Sequence, residues 1–141
     1  MECFHNICRY LTVIFHGTIF IVVEFLGSNI WNPIEDMDED CLYINAWIPN
    51  PDDRTSKRAI LVWIYGGGFY SGSSTLDIYD GRYLAASQNV IVISMQYRLG
   101  ILGFLNLESE EAPGNMGLLD QVLGLQWTQD NAEYLNGDKN N

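Results

Sequence analysis

Apolar and polar residues follow one another in blocks along the chain, and the blocks predict an α/β fold. Residues 59–65 and 90–97 are short runs rich in Ile and Val, typical of strands buried on both faces of a parallel sheet. A weaker helical stretch, residues 82–88, lies between them and predicts a strand, crossover helix, strand unit. Residues 41–48 predict a further strand, which Pro49 closes.

A longer helix is predicted over residues 116–134. Asn115 is the predicted cap, and Asp120 is placed in the first turn, where the helix dipole favours a carboxylate. Apolar residues recur at helical spacing in two rows, which are Leu118, Val122 and Leu125, and Leu119, Leu123 and Trp127.

The first 26 residues differ from the rest. Residues 11–23 are almost continuously apolar, but this stretch is shorter than the roughly 20 residues of a membrane span. It resembles the apolar part of a secretory signal, yet Glu2 offsets the charge of Arg9 and no Ala-x-Ala-like cleavage site follows. A signal or anchor, a buried strand and a wrongly appended segment all stay open. We treat residues 1–26 and 27–141 as separate units.

Composition excludes two classes of protein. The chain has 141 residues, of which 48% are hydrophobic and 18% charged, so it is at most one ordinary domain and is not disordered. Its 18 acidic and 7 basic residues give a net charge of −11, which excludes nucleic acid as a partner. The acidity indicates either a solubilising surface or a field that draws cations into a cleft.

The cysteines and histidines exclude a structural zinc site. Cys3, Cys8 and Cys41 form no Cys-x-x-Cys pair, and His5 and His16 have no ligand partners at useful spacing. We therefore predict no metal and no cofactor. Three cysteines allow one disulfide and leave an odd thiol, which indicates that the chain is not a whole domain.

A glycine-rich loop, residues 66–72, follows directly from a predicted strand. A dinucleotide loop is excluded because Ser71 stands where a third glycine is required, and the chain contains no Walker motif. Two explanations remain. One is a tight turn that needs positive φ, and the other is an oxyanion hole of the esterase kind, whose backbone N–H groups face a developing alkoxide.

Five blocks of sequence, in order, resemble the type-B carboxylesterase family. Within that family the chain is more similar to the cholinesterases, because Tyr65 stands where many general carboxylesterases have histidine and because Trp31 is present. The resemblance covers roughly residues 25–138. The blocks are Gly-Ser-Asn-Ile-Trp-Asn-Pro at 27–33, Glu-Asp-Cys-Leu-Tyr-Ile-Asn at 39–45, the glycine loop with its preceding strand at 63–72, Thr-Leu-Asp-Ile-Tyr-Asp-Gly at 75–81, and Glu-Ala-Pro-Gly-Asn-Met-Gly-Leu-Leu-Asp-Gln at 111–121.

The resemblance implies roles for residues of the site. Gly67 and Gly68 are implied as the oxyanion-hole donors, and Trp31 as the residue whose ring face meets a quaternary ammonium. Tyr70 and Tyr79 match aromatic residues that line the substrate gorge of the family.

Three further residues are implied to be structural. Arg98 and Asp120 match a buried ion pair. Cys41 matches a cysteine that pairs with one upstream, but Cys3 and Cys8 lie at other distances from it, so the partner stays open.

The triad of a serine esterase is not in these residues. There is no Gly-x-Ser-x-Gly, and both histidines precede the matched region. We therefore expect an N-terminal piece of an α/β-hydrolase fold, with a mixed, mostly parallel sheet and flanking helices, which stops before the nucleophile elbow.

For the whole protein, the resemblance implies hydrolysis of a small cationic choline ester and an extracellular location, and it leaves a homo-oligomer open. A general carboxylesterase and a non-catalytic adhesion protein of the neuroligin kind are the alternatives.

Overall fold

The computed structural model describes residues 14–15, 18–19, 30–31, 33, 38, 40–50 and 56–140. Within these residues seven short strands and three α-helices follow one another, with 3₁₀ turns at residues 30–31 and at Asp77–Tyr79. The strands are β1 (Ile14–Phe15), β2 (Thr18–Ile19), β3 (Ile44–Trp47), β4 (Ile60–Trp63), β5 (Ile91–Met95), β6 (Asn106–Ser109) and β7 (Ala112–Pro113), and the helices are α1 (Arg82–Gln88), α2 (Gly100–Phe104) and α3 (Met116–Asn131).

The main sheet has the order β3, β5, β4. Strand β5 pairs antiparallel with β3 and parallel with β4, so the described sheet has one pairing of each kind instead of the mostly parallel sheet expected. Helix α1 connects β4 to β5, which confirms the predicted crossover unit. Two antiparallel ribbons, β1 with β2 and β6 with β7, accompany the sheet.

The two apolar runs differ in burial. All five residues of β5 are buried, as predicted for a strand covered on both faces. Strand β4 alternates instead, and the side chains of Leu61 and Trp63 are each 45% exposed. The prediction of a strand buried on both faces is therefore wrong for β4, whose outer face is only partly covered, by the ring of Tyr79 beside Trp63.

Helix α3 presents an unexpected face to the sheet. Its buried residues are Gly117, Asp120, Gly124 and Thr128, whereas both leucine-rich rows that indicated the helix are exposed. Small residues allow this close contact. A Cβ atom at Gly124 would lie 2.7 Å from the sulfur of Met95, and one at Gly117 would lie 2.8 Å from the ring of Phe104.

Three details of α3 differ from the prediction. Asn115 occupies the cap position in a left-handed conformation, but its side chain makes no capping hydrogen bond. Asp120 lies one residue past the first turn, and its carboxylate contacts Arg98 instead of the free N–H groups of the helix start. The helix ends at Asn131, before the predicted residue 134.

No helix among the described residues is long and apolar enough to cross a membrane. The apolar N-terminal stretch lies largely outside these residues, so its predicted roles stay open.

Candidate functional site

The glycine loop leaves the carboxyl end of β4 and turns back on itself within a few residues. The carbonyl oxygen of Gly67 accepts hydrogen bonds from the N–H groups of Tyr70 and Ser71, at 3.2 and 3.1 Å. The Ser71 hydroxyl also donates to this oxygen, at 3.2 Å. Three donors on one carbonyl fix the turn.

Gly67 and Gly68 have backbone conformations that glycine adopts most easily. Their φ angles are 150° and 62°, and a Cβ atom at Gly67 would overlap the carbonyl of Ser71. The backbone of Gly66 differs, because its φ is outside the strained range and a Cβ atom there would meet nothing within 4 Å. The tight-turn explanation is thus correct for the conformation, and it is compatible with an oxyanion hole.

The N–H groups of Gly67 and Gly68 are available as donors. Across the described part of the chain, neither of them donates a hydrogen bond. Unpartnered N–H groups in a loop held by its carbonyl side are the arrangement that binds an anion.

A second segment supports the middle of the loop. The N–H of Gly100, at the start of α2, donates to the carbonyl oxygen of Phe69 at 2.7 Å. The rings of Phe69 and Phe104 lie 5.0 Å apart at 55°, an arrangement favoured for aromatic pairs. Phe69 itself has a φ of 65°, which a residue with a side chain adopts only when its surroundings hold it.

The two tyrosines predicted to line a gorge lie near the loop in different settings. The Tyr70 side chain is 70% exposed, and a Cβ atom at Gly68 would lie 2.8 Å from its ring. Tyr79 is half-buried on the 3₁₀ turn, packs against the buried cluster that includes Tyr65, and has its ring 5.2 Å from that of Trp63. Tyr70 therefore borders the oxyanion candidate, and Tyr79 lies beside the buried cluster that contains Tyr65, the residue just before the loop.

Trp31 and Cys41 lie on the segment before the sheet. Trp31 follows Ile30 in a helical turn and is 54% exposed, and the aromatic pairs of the described residues do not include it. Cys41 is disulfide-bonded, and its partner lies outside the described residues. The structure therefore does not join Trp31 to the loop through a direct ring contact within the described residues.

Arg98 and Asp120 form the predicted ion pair. The guanidinium donates from Nε and Nη2 to the two carboxylate oxygens, at 2.7 Å each, and the backbone N–H of Arg98 donates at 3.0 Å. The carboxyl group is buried, and hydrogen bonding to it raises the pKa of Arg98. The pair joins α3 to the segment just before Gly100. The N–H of Gly100 in turn bonds to Phe69, so the pair helps to hold the glycine loop in place.

Gln96 was missed by the sequence reasoning. It follows β5 directly, and its carboxamide contacts both Ser74 and Tyr65, which flank the loop. The only signal in the sequence is a polar residue between the apolar Met95 and Tyr97, and that signal does not identify partners 22 and 31 residues away.

None of the described residues form a group of three or more His, Cys, Asp or Glu side chains that could hold a metal ion.

A glycine loop of this geometry, at the carboxyl end of a strand in an α/β sheet, is typical of the carboxylesterases. The carboxylesterase family model matches residues 16–141, and the chain belongs to that family. Membership implies an α/β-hydrolase fold, of which the described sheet and helices are a part.

Curated relatives are acetylcholinesterases. The chain is 59% identical to the acetylcholinesterase of Electrophorus electricus and 58% identical to that of Bungarus fasciatus, each over 114 residues and 80% of this chain. It is 50% identical to acetylcholinesterase 1 of Caenorhabditis briggsae, over 115 residues and 82% of this chain. The chain spans 18% of the length of each of these relatives.

Proposed function

We propose that this chain is the oxyanion-hole segment of an acetylcholinesterase-like serine hydrolase, in which residues 27–141 form the N-terminal part of the catalytic domain. One observation carries the proposal. Gly67 and Gly68 combine unpartnered N–H groups with conformations that suit glycine, at the carboxyl end of a strand in a chain of the carboxylesterase family.

The chemistry follows from where charge develops. When a serine attacks an ester, the carbonyl oxygen becomes an alkoxide, and N–H donors already in place stabilise it without reorganisation. Gly67 and Gly68 would supply two such donors. The loss of one donor of this kind costs about 10²- to 10³-fold in kcat.

The position of the nucleophile is supported by strand register. Gly137 forms a parallel bridge with Arg58, and the Asp138 N–H donates to the carbonyl oxygen of Arg58 at 2.7 Å. A strand that continued in this register would run beside β4 and reach the level of Gly67 about ten residues later. The carboxyl ends of adjacent parallel strands lie at the same edge of a sheet. A serine directly after that strand would therefore lie beside the glycine loop.

The substrate class rests on Trp31 and on charge. An exposed indole offers its face to a quaternary ammonium, a contact of roughly 0.5 to 2 kcal/mol. The net charge of −11 would draw a cationic ester towards the protein. A disulfide at Cys41 fits an oxidising, extracellular location.

The test compares kcat/KM for two substrates in two variants of the full-length protein. With acetylthiocholine and a neutral thioester of equal acyl group, we expect Trp31→Ala to lower kcat/KM for the choline ester about tenfold more than for the neutral one. Tyr83→Ala, which removes an exposed aromatic ring on α1, is the matched control and should leave the ratio unchanged.

Equal losses on both substrates would favour a general carboxylesterase. Absence of turnover in the wild-type protein, with no Gly-x-Ser-x-Gly in the sequence downstream of residue 141, would favour the adhesion protein.

A further inference from the structure

The two ends of the glycine loop lie against each other. A Cβ atom at Gly72 would lie 2.5 Å from the ring of Tyr65 and 2.8 Å from the carbonyl oxygen of Gly66. The loop therefore has a narrow neck, formed by Tyr65 on the entering side and Gly72 to Ser74 on the leaving side. Any change in the width of this neck moves the residues between, including Gly67 and Gly68.

One side chain spans the neck. The amide oxygen of Gln96 accepts a hydrogen bond from the Ser74 N–H at 2.9 Å, and its amide nitrogen donates to the Tyr65 hydroxyl at 2.9 Å. A carboxamide fits this position because it is a donor and an acceptor on one rigid plane.

The base of Gln96 is held firmly. It follows the fully buried strand β5, and its backbone N–H donates to the carbonyl oxygen of Tyr43 at 2.9 Å. The backbone of Gln96 is thus anchored in the sheet, outside the glycine loop.

The Tyr65 end is equally fixed. Its hydroxyl donates to the carbonyl oxygen of Tyr97 at 3.3 Å, and the Tyr97 hydroxyl donates to the carbonyl oxygen of Tyr65 at 2.8 Å. The two rings stack at 4.6 Å, and Tyr65 is 1% exposed. Burial raises the pKa of Tyr65, so the hydroxyl keeps its proton and accepts from Gln96 while it donates to Tyr97.

The Ser74 end of the bridge also hydrogen-bonds to side chains of the main sheet. Asn45 donates to the Ser74 carbonyl and hydroxyl oxygens at 3.4 Å, and the Ser94 hydroxyl donates to the same carbonyl at 3.4 Å. These contacts bind Ser74 to the sheet but do not reach Tyr65. In the described structure, the Gln96 side chain is the one that bonds to both ends of the loop.

We propose that Gln96 is a positioning residue for ester hydrolysis, which sets the placement of the Gly67 and Gly68 N–H groups by fixing the neck of the glycine loop. The inference rests on the proposed oxyanion role of those glycines. We expect Gln96 to affect the stabilisation of the transition state and not the binding of the choline group, because Trp31, the residue proposed to meet that group, lies on another segment.

The experiment compares Gln96→Leu with Gln96→Glu in the full-length enzyme. Leucine has a similar size and makes neither hydrogen bond, so we expect kcat to fall about tenfold while KM changes less than twofold. Glutamate keeps an acceptor for the Ser74 N–H, so we expect it to retain more of kcat than leucine does. Gln88→Leu is the matched control, because among the described residues the side chain of this exposed glutamine hydrogen-bonds only to its neighbour Ser87.

A double-mutant cycle tests the path through Tyr65. If Gln96 acts by bridging the neck, Gln96→Leu should lower kcat far less in a Tyr65→Phe background than in the wild type, since that background has already lost one end of the bridge. Fully additive losses would overturn the inference, as would a rise in KM with kcat unchanged in the Leu and Glu variants.

Gly67→Ala, measured alongside, separates the two proposals. If Gly67→Ala lowers kcat and both Gln96 variants do not, Gln96 has no positioning role and the oxyanion role stands. If Gly67→Ala also leaves kcat unchanged, the oxyanion role itself is wrong.

Discussion

Replacing Gly67 by alanine is the most direct perturbation of the candidate oxyanion hole. The added Cβ atom would overlap the carbonyl oxygen of Ser71 and lie 2.7 Å from its carbonyl carbon. The obstacle is backbone, so it cannot rotate away as a side chain would. The loop must therefore open at the turn that the Gly67 carbonyl closes with Tyr70 and Ser71.

The expected loss has two parts. An alanine at a φ of 150° costs about 1 to 3 kcal/mol in backbone strain, which lowers the stability of the fold or is relieved by moving the loop. If the loop moves by about 1 Å, the N–H groups leave the position of the alkoxide, and we expect kcat to fall about 10²-fold.

Gly68 and Gly66 provide a graded comparison. Gly68 has a φ of 62°, and its added Cβ atom would meet only the ring of Tyr70, an exposed side chain that can rotate. We expect Gly68→Ala to cost about 1 to 2 kcal/mol of stability through the left-handed backbone alone. Gly66→Ala has neither a steric nor a conformational penalty and should leave the stability equal or raised by a few tenths of a kcal/mol.

The assay is kcat for acetylthiocholine in the full-length protein, with urea unfolding of the same variants. We expect Gly67→Ala to be the most damaging of the three substitutions in both measurements. A kcat for Gly67→Ala within threefold of the wild type, in a protein that is otherwise folded, would refute the assignment of the oxyanion hole.

Three further results are expected. Asp120→Asn should lower stability by about 3 kcal/mol in chemical denaturation, because it removes the charge that compensates the partly buried Arg98, and a loss under 0.5 kcal/mol would contradict that role. Burial raises the pKa of Tyr65 above its ordinary 10.0, so the stability that the neutral hydroxyl contributes is complete below about pH 10 and is lost at higher pH. The melting temperature should therefore fall as the pH rises above about 10, and it should fall less steeply in Tyr65→Phe. The isolated 141-residue chain should bind a hydrophobic dye and hydrolyse no acetylthiocholine, because the leucines of α3 are exposed and the residues contain no Gly-x-Ser-x-Gly; a sharp two-state melt of a monomer would argue against this.

Local patterns in the sequence were enough for the three strands of the main sheet, for α1, for most of α3 and for the candidate loop, but not for α2, β6 or β7. The Ile- and Val-rich runs predicted β4 and β5, and the crossover helix Arg82–Gln88 has the bounds that its pattern predicted. Consecutive glycines after a strand indicated the loop, because only glycine leaves the backbone N–H groups unshielded at positive φ. Each of these properties depends on residues that are neighbours in the chain.

The tertiary structure decided which surfaces meet. The leucine rows of α3 predicted a helix but not its buried side, since contact with the sheet needs the close approach that Gly117 and Gly124 allow. The helical pattern placed Asp120 near the helix start for its charge, and only the family resemblance implied the pairing with Arg98, 22 residues away, that the structure contains. The bridge from Gln96 across the glycine loop likewise joins residues far apart in the chain, which the pairing of β4 with β5 and the contacts of Ser74 with the sheet bring together. A sequence specifies donors and acceptors one at a time, whereas the direction in which each one points is fixed only when the strands pack.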